Sequence, residues 1–207
     1  MRPLPRLHAI TDARVLAIDD LGVRAAAIAA AGSAVALHAR DRSAGGARLA
    51  SVARRFLTLA KPPEAAVFVN GRPDIAGAVG AQGIQLGLHD LTPGEARASF
   101  PLGWIGRSVH SVDEAGQALE EGADYLLVGN VFPTSTHPGR PGGGPGLVRD
   151  TARLGLPVIA IGGIDAERAG RMREAGAYGV AAIGALWHAA DPAAAALALL
   201  APWLGDA

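Results

Sequence analysis

The sequence predicts a single small (β/α)8 barrel. Eight short apolar runs alternate with stretches of helical periodicity along all 207 residues. No linker or composition break divides the chain, and its length suits one domain with a full core. A doubly wound open sheet is the competing architecture, but no Gly-x-Gly-x-x-Gly follows the first strand to support it.

The elements follow in order. Leu7-His8-Ala9-Ile10 is the first strand, ending at Thr11-Asp12. Helical periodicity from about Leu16 to Ala31 stops at Gly32. Ala34–Leu37 is the second strand, and a helix runs from about Gly45 to Leu59. Ala66–Val69 is the third, followed by the loop Asn70-Gly71-Arg72 and by Pro73, a residue that opens helices. Ile84-Gln85-Leu86 is a very short fourth strand. Thr92-Pro93-Gly94-Glu95 has capping-box spacing. Trp104-Ile105 opens the fifth strand, and Ser111-Val112-Asp113-Glu114 starts a helix in the same manner. Tyr125–Val128, Pro157–Ile161 and Gly179–Ala182 complete the eight.

Composition narrows the function. Lys+Arg and Asp+Glu both total 19, so no basic excess points to nucleic acid. The absence of cysteine excludes a disulfide framework, a thiolate nucleophile and cysteine-held zinc. No His-x-x-x-His spacing suggests a metal site. The N-terminus lacks the apolar core of a signal peptide, and Ala189–Leu204 is too short and too interrupted to span a membrane. A cytoplasmic protein is expected. A homodimer stays open, since barrels of this size often dimerise and no self-association motif is visible.

In a barrel, residues just after each strand share one face. Those positions hold His38, Arg40, Arg42, Asn70, Arg72, Gln85, Asp90, Arg107, Ser108, His110, Asn130, Thr134, Ser135, Thr136, His137, Gly162, Gly163 and Gly184. The set is rich in cations and short of carboxylates, which suits an anionic substrate. Gly162-Gly163 and Gly184 follow the last two strands, where this architecture commonly binds phosphate through backbone amides; glycines that only mark tight turns are the plainer reading. The longest irregular stretch, Asn130–Gly146, lies on the same face and carries hydroxyls and glycines suited to a closing loop. Among six histidines, His8 and His188 read as structural. His110, in Ile105-Gly106-Arg107-Ser108-Val109-His110-Ser111, reads as the group able to take and give a proton near neutral pH.

His8-Ala9-Ile10-Thr11-Asp12, Val69-Asn70-Gly71-Arg72-Pro73-Asp74-Ile75-Ala76, Ile105–Ser111, Gly129-Asn130-Val131-Phe132-Pro133-Thr134 and Val158-Ile159-Ala160-Ile161-Gly162-Gly163-Ile164 resemble the thiamine phosphate synthase superfamily. The motifs keep that family's order from about Leu7 to His188. The resemblance implies a small β/α barrel and one of two reactions. Its synthase branch joins a pyrimidine pyrophosphate to a thiazole phosphate with magnesium. Its thiazole tautomerase branch isomerises a carboxythiazole phosphate to the aromatic form.

Several positions depart from the synthase pattern. His38, Arg40 and Arg42 stand where the pattern has Gln-x-Arg-x-Lys. Gly71 replaces a magnesium-binding aspartate, Gln85 a histidine, and His137 a lysine. Asn-Gly-Arg and Gly-Arg-Ser-Val-His-Ser look like the tautomerase branch. That likeness implies an isomerase without a cofactor or metal, with His110 as the proton-transfer residue. Arg40 and Arg107 would then hold the substrate carboxylate, with Asn70 and Ser108 beside them. Gly162, Gly163 and Gly184 would hold the phosphate, and Asn130, Ser135 and Thr136 would close over it. A divergent synthase and a non-catalytic regulatory homologue are the alternatives.

Overall fold

The computed structural model describes residues 3–134, 139 and 141–205. Eight parallel strands close into a barrel in sequence order. They are β1 (Leu7–Ile10), β2 (Val35–Ala39), β3 (Ala66–Asn70), β4 (Gly83–Leu86), β5 (Trp104–Val109), β6 (Tyr125–Val128), β7 (Val158–Ile161) and β8 (Gly179–Ala182). β8 pairs with β1 through Leu7 and Val180, which completes the ring. The outer helices are α1 (Leu21–Ala29), α2 (Gly46–Ala60), α3 (Pro73–Val79), α4 (Pro93–Ser99), α5 (Val112–Glu120), α6 (Gly144–Ala152), α7 (Ala166–Glu174), α8 (Gly184–Trp187) and α9 (Pro192–Leu200).

All eight expected strands are present, with shifted ends. β2 runs on through His38 to Ala39, so His38 lies inside the strand and not in the turn after it. β5 runs through Val109, which takes Arg107 and Ser108 into the strand as well. The first expected helix is broken: a single 3-10 turn at Val15–Ala17 precedes α1. At α4 the Thr92 side chain accepts from Glu95 N–H while the Glu95 carboxylate accepts from Thr92 N–H, the expected capping box.

Side chains alternate across each strand, so the barrel has two cores. Leu7, Ala9, Leu37, Val67 and Val69 point outward against the helices. Ile10, Ala36, Phe68, Tyr125, Leu127, Ile159 and Ala181 fill the interior. Because both faces are buried, the strands read as continuous apolar runs and the alternation is hidden in the sequence.

The interior is closed by rings set against glycines. A Cβ on Gly83 would stand 2.6 Å from the Phe68 ring, and one on Gly106 would overlap the Tyr125 ring. The missing side chains make room for the large ones, at positions where flexible packing is not available. Gly106→Ala is therefore expected to destabilise the barrel by at least about 1–3 kcal/mol, the usual cost of overpacking, as read from urea unfolding.

Candidate active site

The carboxyl ends of the strands and the loops after them enclose a cleft of about 1040 Å³. Ile10, Leu127, Ile161 and Ala181, the last interior residues of their strands, give it an apolar floor. Arg40, Asn70, Ser108, His110, Asn130, Gly162, Gly163 and Gly184 all line it. Ser135, Thr136 and His137 lie outside the described residues.

Arg107 does not reach the cleft. Arg107 and Ser108 are adjacent in β5, so alternation sends them to opposite faces. The Arg107 guanidinium turns outward and donates to the carbonyls of Gly87 (2.8 Å), Leu91 (3.0 Å) and Leu88 (3.2 Å). It braces the β4–α4 loop and does not hold substrate. Ser108 turns inward, where its Oγ accepts from Gln85 Nε2 at 3.0 Å.

Arg40 is half-buried at the rim, and its backbone N–H donates to Thr11 Oγ1 at 2.9 Å. Burial, and then the nearby Arg42, hold its pKa below the ordinary value; Asp12 and Asp41 partly offset this. A partly desolvated cation beside a second cation favours an anionic ligand.

His110 stands on the opposite wall at the end of β5, with its side chain 46% exposed. Ser111 caps α5 by accepting from Glu114 N–H at 3.1 Å. The Glu114 side chain then reaches back one residue further than in a standard capping box. Its Oε2 accepts from His110 N–H at 2.7 Å and faces His110 Nδ1 at 3.1 Å. A carboxylate only accepts, so in the neutral ring Nδ1 carries the proton and Nε2 is the bare, basic nitrogen. Glu114 is the residue that sequence reasoning missed, because Ser-x-x-Glu is read there only as a helix start.

The glycine loops are held from behind. Val131 N–H donates to Ile161 O (2.9 Å) and Phe132 N–H to Gly162 O (3.0 Å). Arg168 donates to Gly163 O at 2.6 Å while lying over the Phe132 ring. Asn130 Nδ2 donates to Phe132 O at 3.2 Å. These bonds tie the β6 loop to the β7 loop and fix the curve of Gly162-Gly163.

On the far rim, Gly71 adopts φ +71°, and a Cβ there would stand 3.2 Å from Asp90 Oδ2. Asp90 Oδ2 already accepts from Gly87 N–H at 2.6 Å. Among the described residues, no group of three or more His, Cys, Asp or Glu side chains is placed to hold a metal ion. Among them too, no helix is long and apolar enough to cross a membrane.

A family described as thiamine monophosphate synthase matches residues 7–186. A thiamine-phosphate synthase of Thermus thermophilus is 47% identical over 151 residues, covering 72% of this chain and 73% of that protein. One from Salinispora tropica is 42% identical over 206 residues, covering 97% of this chain and 98% of its own. A solved thiamine phosphate pyrophosphorylase from Pyrococcus furiosus superposes with a TM-score of 0.80 at 32% identity, covering 95% of this chain and 94% of that one. A 3-hexulose-6-phosphate synthase structure at 20% identity, TM-score 0.68, shares the fold alone.

Proposed function

The chain belongs to the thiamine monophosphate synthase family, and from that premise we propose that it is a thiazole tautomerase. The observation that carries this reading is the Glu114–His110 pair at the cleft wall, where a hydrogen-bonded carboxylate leaves Nε2 of His110 bare. The substrate is a carboxylated, non-aromatic thiazole phosphate. His110 Nε2 takes the proton from the ring carbon bearing the carboxylate. The freed electron pair enters the ring, and the exocyclic carbon receives the proton back from the same nitrogen. One proton moves and none is lost, so no co-reactant is needed. Aromaticity of the product drives the reaction. Glu114 stabilises the transient imidazolium, as a carboxylate partner does for a catalytic histidine.

The remaining assignments rest on position. Arg40 holds the ring carboxylate. Gly162, Gly163 and Gly184 offer backbone amides to the phosphate. Asn70 and Ser108 contact the ring edge, and Asn130 lines the cleft beside them.

A second reading, coupling of a pyrimidine pyrophosphate to a thiazole phosphate, is favoured by the names of the relatives at 42–47% identity. Those names stand against the tautomerase and with the synthase. The family's synthase reaction implies magnesium to neutralise the departing pyrophosphate. The donors present do not fit that ion: Gly71 supplies no carboxylate, and Asp90 is left as one carboxylate with an oxygen already engaged.

One pair of assays separates the two readings. The protein is given the non-aromatic carboxythiazole phosphate, and aromatic product is followed by ultraviolet absorbance and mass. Separately it is given both synthase substrates with magnesium, and thiamine phosphate is sought. Isomerisation without thiamine phosphate is the expected result. Thiamine phosphate formation at enzyme-like rates, with no isomerisation above background, would overturn the proposal.

A further inference from the structure

Two histidines are buried in the barrel beneath the cleft and have no part in the proposed chemistry. His8 and His38 are fully buried neighbours on β1 and β2. His8 Nε2 lies 3.0 Å from Pro5 O, His8 Nδ1 lies 2.8 Å from His38 Nε2, and His38 Nδ1 lies 3.0 Å from the Asn70 amide. This line of contacts runs from the barrel floor to a residue that lines the cleft.

We infer that the Pro5 carbonyl sets the direction of every hydrogen bond in this line and so holds Asn70 with Nδ2 on His38 and Oδ1 facing the cleft. A carbonyl only accepts, so His8 Nε2 must carry a proton. A neutral His8 then has a bare Nδ1, which must accept from His38 Nε2–H. A neutral His38 in turn has a bare Nδ1, which needs a donor. Asn70 can supply one only through Nδ2. The structure sets Oδ1 at this contact, so the amide is turned over about its last torsion, which leaves its heavy-atom outline unchanged.

The opposite arrangement keeps Oδ1 on His38 and fails at one end. It puts the His38 proton on Nδ1, so His38 Nε2 must accept from His8 Nδ1–H. His8 Nε2 is then bare against the Pro5 oxygen, lone pair to lone pair. Only a buried imidazolium would repair that. Burial acts against one in both rings: it lowers His38 to about 4, and it holds His8 well below its ordinary value.

The polarity of the cleft follows. Asn70 presents an acceptor, so a ligand acceptor is excluded from this contact and an N–H, an O–H or a C–H edge of the ring fits there. Ser108, whose Oγ already accepts from Gln85 Nε2, has its own proton to donate. An aromatic ring nitrogen therefore belongs on the Ser108 side and not against Asn70. This inference needs the cleft to bind the ligand but does not depend on which reaction runs there. His8 and His38 are positioning residues, since neither touches the cleft.

The test is nitrogen NMR of the uniformly labelled full chain at pH 7. Two N–H···N hydrogen bonds are expected, each giving a coupling across the bond: His38 Nε2 to His8 Nδ1, and Asn70 Nδ2 to His38 Nδ1. Both rings should show the Nε2–H tautomer. A proton on Nδ1 of either ring would overturn the inference. Saturation with aromatic carboxythiazole phosphate should leave both couplings in place, whereas loss of the Asn70 coupling would show that the amide turns freely and refute a fixed polarity. His8→Phe keeps a ring against Phe68 and Tyr125 but removes the acceptor. In that variant the Nδ1–H form of His38 should appear, and an unchanged tautomer would remove His8 and Pro5 from the account. A protein with no isomerase activity would leave all of these readouts intact, so this inference and the proposed reaction fail separately.

Discussion

His110→Gln is expected to lower kcat for isomerisation by about 10²–10⁴-fold, the contribution typical of a positioned acid-base group. The effect should fall on kcat, because His110 stands on the wall of the cleft with its side chain 46% exposed and is not part of the core. Glutamine retains a side-chain donor for Glu114 but has no nitrogen that can take a proton at neutral pH. Affinity for the aromatic product, read by calorimetry, should stay within a few-fold, because Arg40 and the glycine loops are untouched. Glu114→Gln should also lower kcat, because an amide oxygen is a weaker acceptor for Nδ1–H and holds the ring and its tautomer less firmly. Near-normal turnover in His110→Gln would remove His110 from the mechanism whichever reaction the protein performs.

The barrel was legible in the sequence because the evidence for it is periodic. Eight apolar runs at regular spacing survive errors of one or two residues at each end. Site residues are less forgiving. Arg107 and Ser108 are consecutive, and by sequence both count among the residues just after the fifth strand. Extending β5 to Val109 puts them on opposite faces and leaves one of them in the cleft. The same extension of β2 takes His38 from the active face into the barrel, 2.8 Å from His8. Parallel strands buried on both sides give no alternating pattern that would have marked these ends. Glu114 was hidden for a different reason. Its capping role is local and readable, but its second contact depends on where the preceding strand delivers His110. Position alone placed His110, Gly162, Gly163 and Gly184 on the cleft, since the loops after barrel strands converge whatever their detailed geometry.

The two buried histidines also make the fold sensitive to mild acid. In the folded protein His38 has a pKa of about 4, and His8 is held well below 6.5, chiefly by burial in both cases. Unfolding returns both rings to about 6.5. Between those values the unfolded chain binds more protons than the folded one, so stability rises with pH across this window. It is therefore present in full above about pH 6.5 and is lost as pH falls toward about 4. His38 alone accounts for about 3 kcal/mol at pH 4, and His8 adds to the loss in the same direction. Set against a usual total of about 5–15 kcal/mol, that is a large share. The carboxylates held low by hydrogen bonds, Asp41 by Ser43, Asp74 by Arg72 and Glu95 by Thr92, act in a lower window. Their contributions are lost only as pH falls below about 4.5. Urea unfolding at pH 7.5, 6.5, 5.5 and 4.5 should thus show most of the decline before those carboxylates take part. A double variant, His8→Phe with His38→Gln, removes both titrating rings and should flatten the curve over that range. A flat curve in the unmodified protein would mean that the rings are hydrated or already charged at neutral pH, and the neutral hydrogen-bonded line from Pro5 to Asn70 would fail with it.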